Sequence, residues 1–288
     1  MKRYCLLPLS ALLLLACGEH GQSDTPRTPE EMYEQARHLL KPNAEHDASD
    51  TEGALRWLTR AAEGGYLPAQ VDLAGIYLNG GKNGLPPDHA AAFRWFSAAA
   101  AQGHTASHVF LGQLCYDGRG TPRNEAAALA HWRRAAEVGN AEAQYRLGRV
   151  LAQHPEQRRE GIDWLTKAAR EGQRGGVPQA ATALGNLYYR GTPDLPADRV
   201  QAVRWYAMGA SAGDPLAQWV YAELLLAGEE GVARNEEQAM SYLRLSAGQD
   251  CPQAMERLID CLRSGERAAE QEAEAAAWEK RLQQLHRR

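Results

Sequence analysis

The chain has 288 residues, of which 44% are hydrophobic and 24% charged, with a formal net charge of −4. That balance excludes a wholly disordered chain, and a mildly acidic sequence without basic clusters is a poor match to nucleic-acid binding. Only three Phe stand against abundant Ala, and runs of Val or Ile are few, which points to closely packed helices rather than sheets; the predicted class is all α.

Residues 1–16, MKRYCLLPLSALLLLA, set Lys2 and Arg3 before an apolar stretch that ends at a small residue, the layout of a secretory signal. The run is shorter than the roughly 20 residues of a membrane-spanning helix. Leu14-Leu15-Ala16-Cys17 resembles the bacterial lipobox, which implies a lipid on the Cys17 thiol and cleavage before it. The same resemblance implies, from Gly18 in place of Asp, sorting towards the outer membrane on the periplasmic side. Residues 17–28 are small and polar, as suits a flexible tether, and the folded domain is expected over 29–288.

A first helix is predicted over Met32 to Leu40. Beyond it one unit recurs: a ring at Trp57, Trp95, His131, Trp164, Trp205 and Tyr242, with Trp278 continuing the phase. Eight residues after each ring stand Gly65, Gly103, Gly139, Gly172, Gly213 and, in the sixth copy, Asp250. Seven residues before it stand Asp50, Asp88, Asn124, Gln157, Asp198 and Asn235. Asp or Asn there can accept from the free N–H groups of a helix's first turn, and Gly tolerates the left-handed turn that closes one. Each unit therefore contains a helix, called B, between those marks.

A second helix, A, follows each Gly, anchored on Leu73, Leu111, Leu147, Leu184, Tyr221 and Leu258. Small residues four places earlier, Ala69, Ser107, Ala143, Ala180, Ala217 and Ala254, share its face and admit a neighbouring helix. A final stretch, 266–286, puts Ala268, Gln271, Ala275, Trp278, Leu282 and Leu285 on one side and reads as a polar-backed cap. Two irregularities stand out. Trp132 sits beside His131, which predicts a slight rotation of that helix B, and the junction after Gly172 is longer by QRGGVP.

Two helices in a period of about 36 residues are the signature of an α-solenoid. The residues themselves, A-x-x-x-L-G-x-x-Y and then D-x-x-x-A-x-x-W-x-x-x-A-A-x-x-x-G, resemble the Sel1-like repeat family; Asp88 to Gly103 and Asp198 to Gly213 follow it closely. The resemblance implies an all-α, right-handed α/α superhelical solenoid of about six to seven helix pairs. It also implies function through a protein partner in the concave groove, with no catalytic residue and no cofactor.

Chemistry-bearing motifs are thin. Gly118-Arg119-Gly120 lies where the repeat needs Gly for its loop, and a phosphate role is the lesser reading. His104 and His108 have the i, i+4 spacing of a zinc pair but no third ligand, so no metal site is predicted. Cys115, Cys251 and Cys261 read as small buried hydrophobes. The last two, on one predicted helix, are about 15 Å apart along its axis, too far for a disulfide. Some cysteine-rich members of the family are linked to penicillin binding or hydrolysis; their regular Cys pairs are missing here.

With the anchor as zero, positions −2, +2 and +5 of helix A point away from its packed side, and in related solenoids that side lines the concave face. It carries Val71, Tyr145, Thr182 and Trp219 at −2, Arg149 and Asn186 at +2, and Tyr116, Ala152 and Tyr189 at +5. Tyr, Trp and Arg are residues that binding hot spots favour. Val71, Tyr116, Tyr145, Tyr189, Trp219 and Arg149 are the predicted partner contacts. The alternative is that superhelical twist packs several of them against the next repeat. Proteins resembling this one include immunity proteins for secreted toxins, periplasmic phospholipases among them, and scaffolds for exopolysaccharide export. A short chain that is a solenoid throughout favours immunity.

Overall fold

A computed structural model describes residues 28–40, 49–81, 85–171, 176–264 and 268–287. The Cys17 motif, the tether up to residue 27 and the first three residues of the QRGGVP insertion lie outside the described residues. Two compact units divide at Gln70/Val71.

The first unit holds α1 (Pro29–Leu40) packed against α2 (Ser49–Glu63). The entry to α1 is a reciprocal capping pair. The Glu31 N–H donates to Thr28 Oγ1 at 3.2 Å and the Thr28 N–H to Glu31 Oε2 at 2.9 Å, which satisfies two donors at the helix start. Ala36, Ala54 and Leu58 are buried, and the rings of Tyr33 and Tyr66 meet at 5.2 Å. Asp50, expected just outside the helix, lies within its first turn, because α2 already begins at Ser49.

Helix α3 (Leu67–Asn79) runs through the point of division. The second unit continues with α4 (His89–Ala101), α5 (Thr105–Asp117), α6 (Glu125–Glu137), α7 (Ala141–Leu151), α8 (Arg158–Glu171), α9 (Gln179–Arg190) and α10 (Arg199–Ser211). It ends with α11 (Pro215–Ala227), α12 (Glu236–Gly248), α13 (Pro252–Ser264) and α14 (Ala268–His286). From α4 to α14 each helix packs on the next, and α9 touches both α7 and α11, so alternate helices also form a row. This is the all-α solenoid that the repeat predicts; among the described residues the only β pairing is one bridge, Thr192 to Leu195.

The caps fall where the sequence puts them in four B helices. Asp88, Asn124, Asp198 and Asn235 accept from the N–H groups of Ala91, Ala127, Gln201 and Gln238 at 2.8–3.0 Å. In the fourth unit the chain enters α8 through a 3₁₀ turn, Pro155–Gln157, so Gln157 sits in that turn instead of capping from an extended segment. At the other end, Gly65, Gly103, Gly139 and Gly213 adopt φ between 84° and 93°, and Asp250, in the same position, adopts 62°.

The ring that counts the repeats is not the deepest residue of helix B. The next residue is: Leu58, Phe96, Trp132, Leu165, Tyr206 and Leu243 are all 2% exposed or less. Trp132 therefore occupies the ordinary core position, and α6 keeps the register of its neighbours without the expected rotation. The extra volume is taken from the facing A helix, where Gly112 lies against Trp132 and Gly185 against Tyr206. Trp132 also donates its indole N–H to Val109 O at 3.1 Å.

A second job was not foreseen. The Gln of the recurring Ala-Gln pair donates from Nε2 to the carbonyl eight residues earlier: Gln70 to Ala62, Gln144 to Ala136 and Gln218 to Ala210, at 3.1–3.3 Å. Those carbonyls close the preceding B helix, where each already accepts at 3.0–3.1 Å from the backbone N–H of the Gly three residues on, and the Gln adds a second donor. In the repeat that begins with α5, His108 replaces this Gln, and its Nδ1 meets His131 Nδ1 at 3.0 Å. The other member of the suspected zinc pair, His104, has its Nδ1 2.9 Å from Ser107 Oγ. No group of three or more His, Cys, Asp or Glu able to hold a metal occurs among the described residues.

Cys115, Cys251 and Cys261 are free thiols, and Cys251 precedes α13 rather than lying on it. The last helix, α14, covers the end of that core: Ala275 is buried, and Trp278, Leu282 and Leu285 pack against the core of α11 to α13. It is tied on by Arg244, bidentate to Glu274 at 2.7 and 3.0 Å, and by Arg281, which donates to Asp250 at 2.8 Å. No described helix is long and apolar enough to cross a membrane.

Candidate partner-binding groove

Where the row formed by α7, α9 and α11 meets the loop after α7, it encloses a groove of about 580 Å³. Its walls follow from the repeat. Tyr145 and Arg149 come from α7, Thr182, Ala183, Asn186, Leu187 and Arg190 from α9, and Leu216 from α11. On an A helix the anchor and the small residue before it turn inward, so −2, +2 and the end of the helix are left for this side.

Polar groups in the groove are unequally satisfied. Asp214 is buried, caps α11 through the Ala217 N–H at 2.9 Å, and accepts the Thr182 hydroxyl at 2.6 Å. Arg158 is also buried; its Nε donates to Ala152 O at 3.1 Å and its Nη1 pairs with Asp194. Arg149 and Arg190 differ: both are exposed, and neither has a carboxylate partner among the described residues. Arg149 lies over the Tyr145 ring at 5.8 Å.

Asn186 is oriented from behind. The Tyr206 hydroxyl, buried enough that its pKa is pushed up to about 12, donates to Asn186 Oδ1 at 2.8 Å. With its oxygen taken, the amide keeps its N–H donors for another acceptor. The groove thus offers donors and cations over an apolar floor of Tyr145, Ala183, Leu187 and Leu216, the last 41% exposed. Such an arrangement can bind and hold. Its one lining carboxylate, Asp214, is committed to structure, and no side chain placed as a general base is free beside a nucleophile there.

Of the predicted contacts the groove brings together Tyr145 and Arg149. Val71, Tyr116, Tyr189 and Trp219 lie elsewhere and are half-buried. Tyr116 packs at 5.5 Å from Trp132. Tyr189 is held by Arg199, 3.7 Å above its ring, and by a hydrogen bond to Glu229 at 3.2 Å. Trp219 lies against the core of α11 to α13. Thr182 and Ala152, expected to point outward, are buried: Thr182 lies against Gly209 of α10 and donates to Asp214, and Ala152 lies against Gly161 of α8. Arg190 and Leu216 were missed: one lies past the helix positions sampled, the other in the first turn of its helix. A lone Arg or an exposed Leu carries no signal until folding sets it in a concavity.

Fold and groove together define a repeat protein of the α-solenoid class. A profile of the Sel1 repeat matches residues 47–66, 67–104, 105–140, 141–173, 178–214 and 215–251. The chain belongs to the Sel1 repeat family. It is similar to c5321, described as a protective antigen of uropathogenic Escherichia coli with an SLR fold; the crystal structure superposes with a TM-score of 0.70 at 26% identity, covering 89% of this chain and 54% of that one. It is 28% identical over 208 residues to an uncharacterised protein of Neisseria meningitidis, 72% of this chain and 42% of that protein. It is also 31% identical over 141 residues to the alginate biosynthesis protein AlgK of Pseudomonas syringae, 47% of this chain and 25% of that protein. The chain therefore spans about half, or less, of the length of these relatives.

Proposed function

We infer that this chain is a lipid-anchored envelope solenoid that acts by binding one protein partner, with the groove of α7, α9 and α11 as the principal contact. The observation that carries the reading is the pairing of an apolar floor with the guanidiniums of Arg149 and Arg190, which have no carboxylate partner among the described residues, since an apolar patch rimmed by polar and charged groups marks an interaction site. Half-buried Val71, Tyr116, Tyr189 and Trp219 then serve as outlying contacts. Anchoring rests on Cys17: stable residence takes more than one acyl chain, which lipoprotein maturation supplies, and the outer membrane facing the periplasm is the proposed site.

Sequestration of a secreted toxin, as an immunity protein does, fits a single groove with one occupant. A second reading is supported by one finding: the name of AlgK attaches that relative to alginate biosynthesis, which favours an adaptor role in an envelope polysaccharide assembly. Capture on the full chain carrying Cys17→Ser, expressed in the periplasm, tests the shared claim. A stoichiometric protein partner is expected, and recovery of none overturns both versions. Rescue of cells expressing that partner identifies an immunity protein; loss of a surface polysaccharide on deletion, with no toxin present, identifies the adaptor.

A further inference from the structure

We propose that the groove recognises an acidic, leucine-containing segment of its protein partner, with Arg149 and Arg190 taking carboxylates while Leu187 and Leu216 take the apolar side chain between them. The inference rests on the protein-binding reading above and specifies its ligand.

The charge balance of the groove is the first argument. Three guanidiniums and one carboxylate line it, although the chain as a whole carries −4. The carboxylate is internally satisfied and Arg158 is neutralised by Asp194, so the surplus rests on Arg149 and Arg190. Arg presents a planar fork suited to carboxylates. Asn186, whose oxygen already accepts from the Tyr206 hydroxyl, adds N–H donors. The ionic groups left over in the groove are thus both cations, beside the neutral side chains of Gln153, Gln179 and Thr192.

Geometry and floor select the class of anion. The two arginines come from A helices in contact, α7 and α9, whose axes in such packing lie roughly 8–10 Å apart. That spacing suits carboxylates two or three residues apart on an extended segment, at about 3.3 Å per residue. An anionic glycan would satisfy the arginines but has no side chain for Leu187 and Leu216; a protein segment supplies both.

The test uses the full chain carrying Cys17→Ser and fluorescence anisotropy with three labelled probes: a peptide of glutamate pairs separated by single leucines, the same peptide with lysine for glutamate, and oligogalacturonate. Only the glutamate peptide should bind, more weakly as salt rises. Arg149→Glu combined with Arg190→Glu should weaken it at least tenfold, as the loss of two charge-assisted contacts implies. Arg204→Glu, on the exposed side of α10 and outside the groove, should leave it unchanged. Unchanged melting of the double variant shows that folding is intact. Binding of the glycan in place of the peptide, or of no acidic probe, overturns the proposal. So does a partner captured from the envelope whose binding ignores the double variant, an outcome that leaves the protein-binding reading standing; failure to capture any partner removes that reading instead.

Discussion

Gly112 on α5 lies so close to Trp132 on α6 that a β-carbon added to it would fall 2.4 Å from the indole nitrogen. The absence of a side chain on one helix is the space that holds the largest side chain on the next. Gly112→Ala is therefore expected to destabilise the protein by about 1–3 kcal/mol, the usual cost of overpacking a dense core. Urea unfolding of Gly112→Ala, Trp132→Leu and the double variant checks it: the double should lose less than the sum of the singles, because the smaller residue at 132 relieves the clash.

That pair also marks what the sequence makes legible. Trp132 stood out beside His131 and suggested a rotated helix, but nothing in one chain shows that the core position is the one after the repeat ring. A small residue on one helix and a large one about twenty places later become a pair only once the helices are packed. The period, caps and left-handed turns were legible because each is local: an Asn seven places before a ring, a Gly eight after it. The groove was legible in part. Tyr145 and Arg149 follow from helix periodicity, whereas Arg190 and Leu216 gain meaning from which helices form the row.

Asp250 occupies the left-handed position that Gly holds in four other repeats, with φ of 62°. Its carboxylate accepts from Arg281 at 2.8 Å and so links α14 to the stack. Strain at such a position is about 1–2 kcal/mol for a residue with a side chain, and an exposed ion pair contributes roughly 0–1 kcal/mol. Asp250→Gly should come out nearly neutral, the relief offsetting the lost pair. Asp250→Ala keeps the strain, loses the pair, and should be the less stable of the two by about 1 kcal/mol or more, as read from paired urea denaturation curves.

Gln218 spans two repeats, donating to Ala210 O at 3.3 Å and accepting from Gln249 at 2.9 Å, and is itself buried. Gln218→Leu fills the volume but removes the second donor to Ala210 O, which keeps the Gly213 N–H at 3.1 Å, and takes the acceptor from Gln249. A loss of about 0.5–1.5 kcal/mol is expected. Hydrogen exchange should show faster opening at the α10–α11 junction, with α13 less affected.

The His108–His131 contact gives the fold a pH dependence with a definite sign. Burial lowers the pKa of both rings, and Arg134 lowers each further; His131 is lowered also by His108. The unfolded chain, with pKa near 6.5, binds more protons than the native one between that value and the lowered native ones. The contribution is full above about pH 6.5 and is lost as pH falls towards the native pKa values. Thermal melting from pH 7.5 down to 5 should show a fall in Tm that is smaller in His131→Tyr, which restores the ring type of the sixth repeat.

The central claim is that one protein partner occupies the groove of α7, α9 and α11. Site-specific photo-crosslinking in living cells tests it most directly, with a benzophenone amino acid placed at Leu187 in the groove or at Val138, which is 68% exposed and lies outside it. The account predicts a single protein adduct from position 187, abolished by Arg149→Glu with Arg190→Glu, and none from position 138. An adduct from 138 alone, or one from 187 that survives the charge reversal, would contradict it.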